Sequence, residues 1–124
     1  MTSLQGAQRR QYFRLRYPKH ARPVIRLEDR KFSVCESSEK GLRIMMGQMA
    51  ANLYCGLQMK ATLSLHDDNE VAVEGSILRF DDNEVVVILD KGLSFKDMVA
   101  EQRYVKQKFP NFFSAQRQSL QYVN

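Results

Sequence analysis

The amino-acid sequence predicts a mainly β domain: a small antiparallel barrel of six strands, followed by one flanking α-helix on the C-terminal side. Three observations carry this expectation. Short runs rich in Val, Ile, Leu and Met recur between residues 23 and 89. The segments between them are brief and made largely of Asp, Asn, Ser and Gly, residues that reverse a chain readily. Beyond residue 93 the apolar period changes from 2 residues to about 3.6, the helical value.

Taken in order, residues 1–8 have no periodicity, and residues 9–18 are basic and aromatic as far as Pro18. Together they are expected to form a flexible arm. Residues 23–27 and 31–35 flank Glu28-Asp29-Arg30 as a short hairpin. A strand over 42–46 follows the polar turn at 36–41. Over 57–65 the chain alternates, with Leu57, Met59, Ala61, Leu63 and Leu65 on one face. Strands over 71–79 and 84–89 complete the set, with turns at 66–69 and 81–83. The unbroken apolar run 85–89 suggests a strand buried on both faces, beneath the helix. That helix is expected over 94–109. Ser94 and Asp97 make a capping start, Phe95, Met98, Val99, Gln102, Val105 and Phe109 form a stripe, and Pro110 ends it. Phe112 and Phe113 are expected to dock, with the Gln- and Ser-rich remainder fraying. The chain thus divides into an arm (1–18), a barrel with its helix (19–110) and a tail (111–124).

With 124 residues, 44% hydrophobic and 27% charged, the chain can bury one core and not two. No apolar run approaches the ~20 residues of a membrane-spanning helix, so no membrane insertion is expected. The first residues lack the apolar stretch of a secretory signal. Cys35 and Cys55 are therefore expected to be reduced thiols in a cytoplasmic protein. The net charge of +5 is uneven: residues 1–31 carry nine basic side chains against Glu28 and Asp29, a local balance of +7, and seven of the nine are arginines. A basic end on a mildly acidic body points to an anionic partner.

The arginines have a pattern. Arg10 and Arg14 stand four apart with Arg9 directly before them, and Glu36-x-Ser38-x-x-Gly41 follows directly after the strand expected over 31–35. Guanidinium donates in a planar fork that suits phosphates and the Hoogsteen edge of guanine. A carboxylate and a hydroxyl can serve the base's remaining edge, and glycine permits positive φ and close approach of backbone to ligand. This constellation resembles the signature of the PilZ family, RxxxR followed by (D/N)xSxxG, with Glu36 standing where the family has Asp or Asn. Gly56-Leu57-Gln58-Met59 and the segment 74–79 look like the family's mid-barrel strands.

The resemblance implies a closed six-stranded PilZ-like barrel and a ligand, cyclic di-GMP, held by Arg9, Arg10, Arg14, Glu36, Ser38 and Gly41. A basic residue immediately before RxxxR, here Arg9, implies two ligand molecules per domain. A receptor of this kind relays the nucleotide level to a protein partner, which the sequence does not identify. The arm is expected to order on binding. Motility, biofilm or virulence control is what the family implies.

No catalytic or metal set is expected. His20 and His66 are isolated and expected to face solvent, the cysteines and histidines lack zinc spacing, and Asp67-Asp68 and Asp81-Asp82 fall where hairpins reverse. The chain reads as a binder rather than an enzyme, without a cofactor. Two other readings stand beside it: an adaptor that works through protein contacts without the nucleotide, favoured by Glu36, and a small barrel for single-stranded nucleic acid. The second ranks lowest, because the basic charge is gathered in one arm rather than along a groove.

Overall fold

The structure, a computed structural model, describes residues 12–123. Among the described residues, seven strands and two α-helices follow one another: β1 (Leu15–Arg16), β2 (Val24–Leu27), β3 (Arg30–Ser38), β4 (Gly41–Met45), β5 (Gln58–Ser64), β6 (Glu70–Asp81), β7 (Glu84–Lys91), α1 (Phe95–Lys108) and α2 (Pro110–Val123). All pairings are antiparallel, in the order β1-β3-β2-β5-β6-β7-β4, and β3 also pairs with β4. That last pairing closes β2 to β7 into a six-stranded barrel, leaving β1 as a short addition beside the second half of β3.

Alternation fills the interior. Ile25, Val34, Ile44, Leu63, Val85 and Val87 are almost wholly buried, and Leu42, Met59, Leu65, Val73, Ile77 and Leu89 join them in the core. The turns follow the expected chemistry, with Glu28, Asp67, Asp68 and Asp82 at positive φ, a conformation that Asp tolerates better than most residues. Ser94 and Asp97 form the expected capping box, each side chain accepting the other's backbone N–H at 3.0 Å.

Five expectations are corrected. The arm is not wholly free-standing: Leu15 and Tyr17 are buried in the core, and Leu15–Arg16 pair with Ser37 and Glu36. The residues before Tyr12 lie outside the described residues. Strand β7 is not buried on both faces, since Ile88 is 45% exposed. The tail is helical, with Pro110 at the first position of α2, where its missing N–H leaves nothing unpaired. On α1 the buried positions are Met98, Glu101 and Val105, while Phe95 is 71% exposed.

His66 is the fifth correction. Its Nδ1 lies 2.9 Å from Glu101 Oε1, its backbone N–H donates to Glu101 Oε2 at 3.0 Å, and its Nε2 lies 3.1 Å from the Ala21 carbonyl. The ring stacks on Tyr104 at 3.7 Å. Tyr17 Oη donates to Glu101 Oε1 at 2.8 Å and lies 2.9 Å from Ser37 Oγ. Burial, and next the charge of Glu101, push the Tyr17 phenol well above its ordinary pKa, so it remains a donor. A network that reads as scattered residues in sequence thus ties α1 to β1, β3 and the β5–β6 turn.

Gly75 marks the tightest approach in the barrel. A Cβ there would meet the Ile88 carbonyl oxygen at 2.1 Å, where the β6–β7 register shifts. Because that oxygen belongs to backbone, it cannot swing aside. Gly75→Ala should therefore lower stability by about 1–3 kcal/mol, measured as a reduced urea midpoint at constant m-value; an unchanged midpoint would show that the two strands can part without loss.

Candidate functional site

The outer face of β1, β3, β4, β7 and β6 carries the site. Register places Arg16 beside Glu36, Glu36 beside Arg43, Arg43 beside Val86 and Val86 beside Arg79. A second row runs through Ser38, Gly41, Ile88 and Ser76. Two bulges set this parity. In β3 the register shifts between Val34 and Glu36, which makes Cys35 the extra residue. Without it Glu36 would turn inward; with it Glu36 faces out, and Ser37 turns in toward Tyr17. In β6 a like shift between Ile77 and Arg79 makes Leu78 the extra residue and keeps Arg79 outward. Burial pushes the Cys35 thiol above its ordinary pKa, so it behaves as a small core residue.

Charge is dense along the first row. Glu36 Oε2 lies 3.9 Å from Arg16 Nε and 3.8 Å from Arg43 Nε. Arg43 donates to Asp81 at 2.8 Å and to Glu84 at 3.1 Å, and Arg79 donates to Asp81 at 3.4 Å. Donation from Arg43 is the main reason that the Asp81 carboxyl sits below its ordinary pKa.

Above these rows lies a cavity of about 220 Å³. Arg14, Glu36, Ser38 and Gly41 line it, so four of the six sequence-derived residues meet at one place. Arg9 and Arg10 lie outside the described residues. Ser38 Oγ donates to the Gly41 carbonyl at 3.4 Å, across a two-residue hairpin loop that the Ser38–Gly41 pair closes. Gly41 does not use the positive φ that glycine permits. A Cβ there would lie 3.4 Å from the Val87 oxygen and 3.5 Å from Ser38 Oγ, so the glycine gives room instead.

Sequence reasoning did not single out Tyr12, Lys40, Arg43, Leu78, Arg79 and Ile88, which also line the cavity. Period two holds the clue for Arg43, which lies two residues beyond Gly41 on the same face. Ile88 belongs to the apolar run of β7, and it is this cavity, not a covering helix, that the run serves on its outer face. Among the described residues, Arg14, Lys40, Arg43 and Arg79 set four cations around the cavity against the single carboxylate of Glu36. Such a lining attracts an anion, and the apolar side chains beside it suit a planar ring.

No family model matches the sequence, and no curated protein matches it. Solved structures do. Bacillus subtilis MotI, described as an inhibitor of motility, superimposes with a TM-score of 0.63 at 15% identity, over 84% of this chain and 53% of that one. The chain thus spans about half the length of MotI. The PilZ domain of Escherichia coli YcgR, solved with c-di-GMP, gives a TM-score of 0.53 at 18% identity, over 94% and 98% of the two chains. Klebsiella MrkH, in complex with c-di-GMP, gives 0.51 at 18% identity, over 90% of this chain and 56% of that one. The fold is that of a PilZ domain.

The Arg43 cluster has a consequence for stability. A carboxyl with a lowered pKa stabilises the fold above its unfolded value, and the contribution vanishes as pH falls through the folded value. Arg43→Met leaves Asp81, Glu84 and Glu36 without their common partner. Its thermal midpoint should fall by a few degrees at pH 7, and the gap to the parent should close as pH drops below about 4. A gap that is constant across this range would assign the loss to packing rather than charge.

Proposed function

We propose that this domain is a receptor for cyclic di-GMP, held against the outer face of the barrel by the arm and the β3–β4 hairpin. The observation that carries the reading is the meeting of Arg14 with Glu36, Ser38 and Gly41 at one cation-lined cavity. The fold it shares with two proteins solved with c-di-GMP supports it. At about 220 Å³ the cavity is smaller than the ~300–1,000 Å³ of most ligand pockets. It suits part of a dinucleotide, with the arm covering the rest. Arg10 precedes Arg14 by four residues, and extended chain of that length spans at most ~14 Å, enough to bring Arg9 and Arg10 over a ligand seated at Arg14. Arg14 and Arg10 take phosphates and guanine edges. Arg9 stacks on an outer guanine, the arrangement that accompanies two ligands per domain. The ordered arm then offers a new surface to a protein partner in the cytoplasm, in control of motility, biofilm or virulence.

Glu36 favours a second reading. Its carboxylate faces Arg16 and Arg43, and a chain that uses it only there would act as an adaptor without the nucleotide.

Calorimetric titration with cyclic di-GMP tests both. Arg10→Ala and Arg14→Ala should each weaken binding a hundredfold or more, since charge-assisted bonds contribute ~1.5–3 kcal/mol apiece and each guanidinium makes two. Ser38→Ala should cost about 1 kcal/mol. Glu36→Asp should bind at least as tightly as the parent, at a ratio of two ligands per chain, and Arg9→Leu should shift the ratio toward one. If both arginine variants bind like the parent, the ligand assignment fails. Tighter binding on Glu36→Ala would mean that the carboxylate repels phosphate, and the adaptor reading would replace the receptor.

A further inference from the structure

Strand β1 is only two residues long and pairs with β3 on one side. Its other edge would expose an unpaired N–H and C=O, groups that need partners when buried. Gln116 of α2 supplies both. Its Oε1 accepts from Arg16 N–H at 2.9 Å and its Nε2 donates to the Arg16 carbonyl at 3.2 Å, so one side-chain amide stands in for a neighbouring strand. Gln116 is 7% exposed, and Phe113, one turn earlier, is 6% exposed. On the next residue of the chain, Tyr17 Oη donates to Glu101 of α1 and bonds Ser37. Ser37 sits between Glu36 and Ser38, both of which line the cavity. Each helix therefore reaches, by one buried polar side chain, the segment that follows Arg14, and the Tyr17–Ser37 contact joins that segment to the signature hairpin.

We propose that Gln116 and Glu101 form a clamp by which the two C-terminal helices hold Arg14 and the β3–β4 hairpin in register, so that docking of α2 and occupancy of the cavity are linked. The inference rests on the receptor reading for the identity of the ligand, but the contacts of the clamp are made within the chain itself. Linkage makes it reciprocal: what orders β1 favours the docked helix, and what releases the helix loosens β1 by the same factor. Gln116 and Glu101 do not line the cavity, so they are positioning residues, and they give the domain a route from the nucleotide to its far side.

Amide hydrogen exchange on the full chain tests this without ligand. Gln116→Met keeps length and apolar volume while removing both bonds to Arg16. Exchange over residues 15–17 and at Ser37 should quicken about tenfold, the effect of one or two lost hydrogen bonds, while Ile25 and Leu63, across the barrel, stay as in the parent. Tyr17→Phe should quicken exchange over 110–116 to a similar extent. Uniform quickening everywhere, or none at residues 15–17, overturns the clamp whatever the protein binds. With cyclic di-GMP added, the parent should slow exchange over 110–116, and Gln116→Met should both lose that protection and bind about tenfold more weakly. A parent that does not bind cyclic di-GMP sinks the receptor reading, and the unliganded arm still decides the clamp. Full affinity in Gln116→Met, with the parent binding, would break the link between helix and cavity.

Discussion

The buried carboxylate of Glu101 is the constraint around which the rest of the molecule is arranged. At 2% exposure it has left water almost entirely, a transfer that costs several kcal/mol unless donors replace the lost hydration. Three do: the Tyr17 hydroxyl, the His66 backbone N–H and the His66 ring. They come from two separate parts of the fold, Tyr17 and His66, so satisfying the charge fixes α1 against the segment that follows β1 and against the β5–β6 turn together. His66 in turn needs the Ala21 carbonyl and the face of Tyr104. A helix packed only through apolar contacts could slide along the barrel end with small penalties. One held through a desolvated charge has a single register, because any slip leaves that charge unpaired.

Above this layer the outer face of the barrel is built by parity. A strand sends alternate side chains in and out, and one bulged residue exchanges the two sets beyond it. Cys35 and Leu78 are those residues on β3 and β6. The shift at Cys35 sends Glu36 outward to the cavity and Ser37 inward to Tyr17, so adjacent residues serve the two different layers. The same irregularity therefore creates the cavity's acidic member and its tie to the helices.

The barrel is legible in the sequence because its determinants are local: alternation in residues 57–65, Asp-rich reversals and the Ser94/Asp97 cap each announce themselves within a few residues. Arg14, Glu36, Ser38 and Gly41 are legible as a motif, and the cavity brings them together. Other features depend on distance in the chain. Nothing near Glu101 or His66 marks them as partners, since the contact spans 35 residues. Strand β1 is too short for periodicity to reveal, and its pairing depends on β3 and Gln116. Arg43 and Arg79 look like ordinary outward positions until pairing through Val86 puts them in one row. The apolar run of β7 misleads for a related reason: periodicity reports burial, and a strand whose outer face lines a cavity looks the same as one lying beneath a helix.

The row Arg16, Glu36, Arg43 also explains how Glu can stand where the related signature has Asp or Asn. A carboxylate flanked on both sides by cross-strand arginines gains by reaching further along the row, and the additional methylene of Glu provides that reach at 3.9 and 3.8 Å. These separations exceed those of hydrogen-bonded pairs, and partly exposed contacts of this length contribute little, typically under about 1 kcal/mol. Arg43, by contrast, is held firmly by Asp81 and Glu84 at 2.8 and 3.1 Å, from the far side of the row. Its guanidinium is therefore oriented without Glu36. On the receptor reading proposed above, a phosphate at Arg43 would displace only the weak partner, at an arginine already in place, so little ordering entropy would be lost at that contact. On that reading one anion would replace another at Arg43 in the place of Glu36, while Asp81 and Glu84 stayed bonded behind it and the barrel itself need not move.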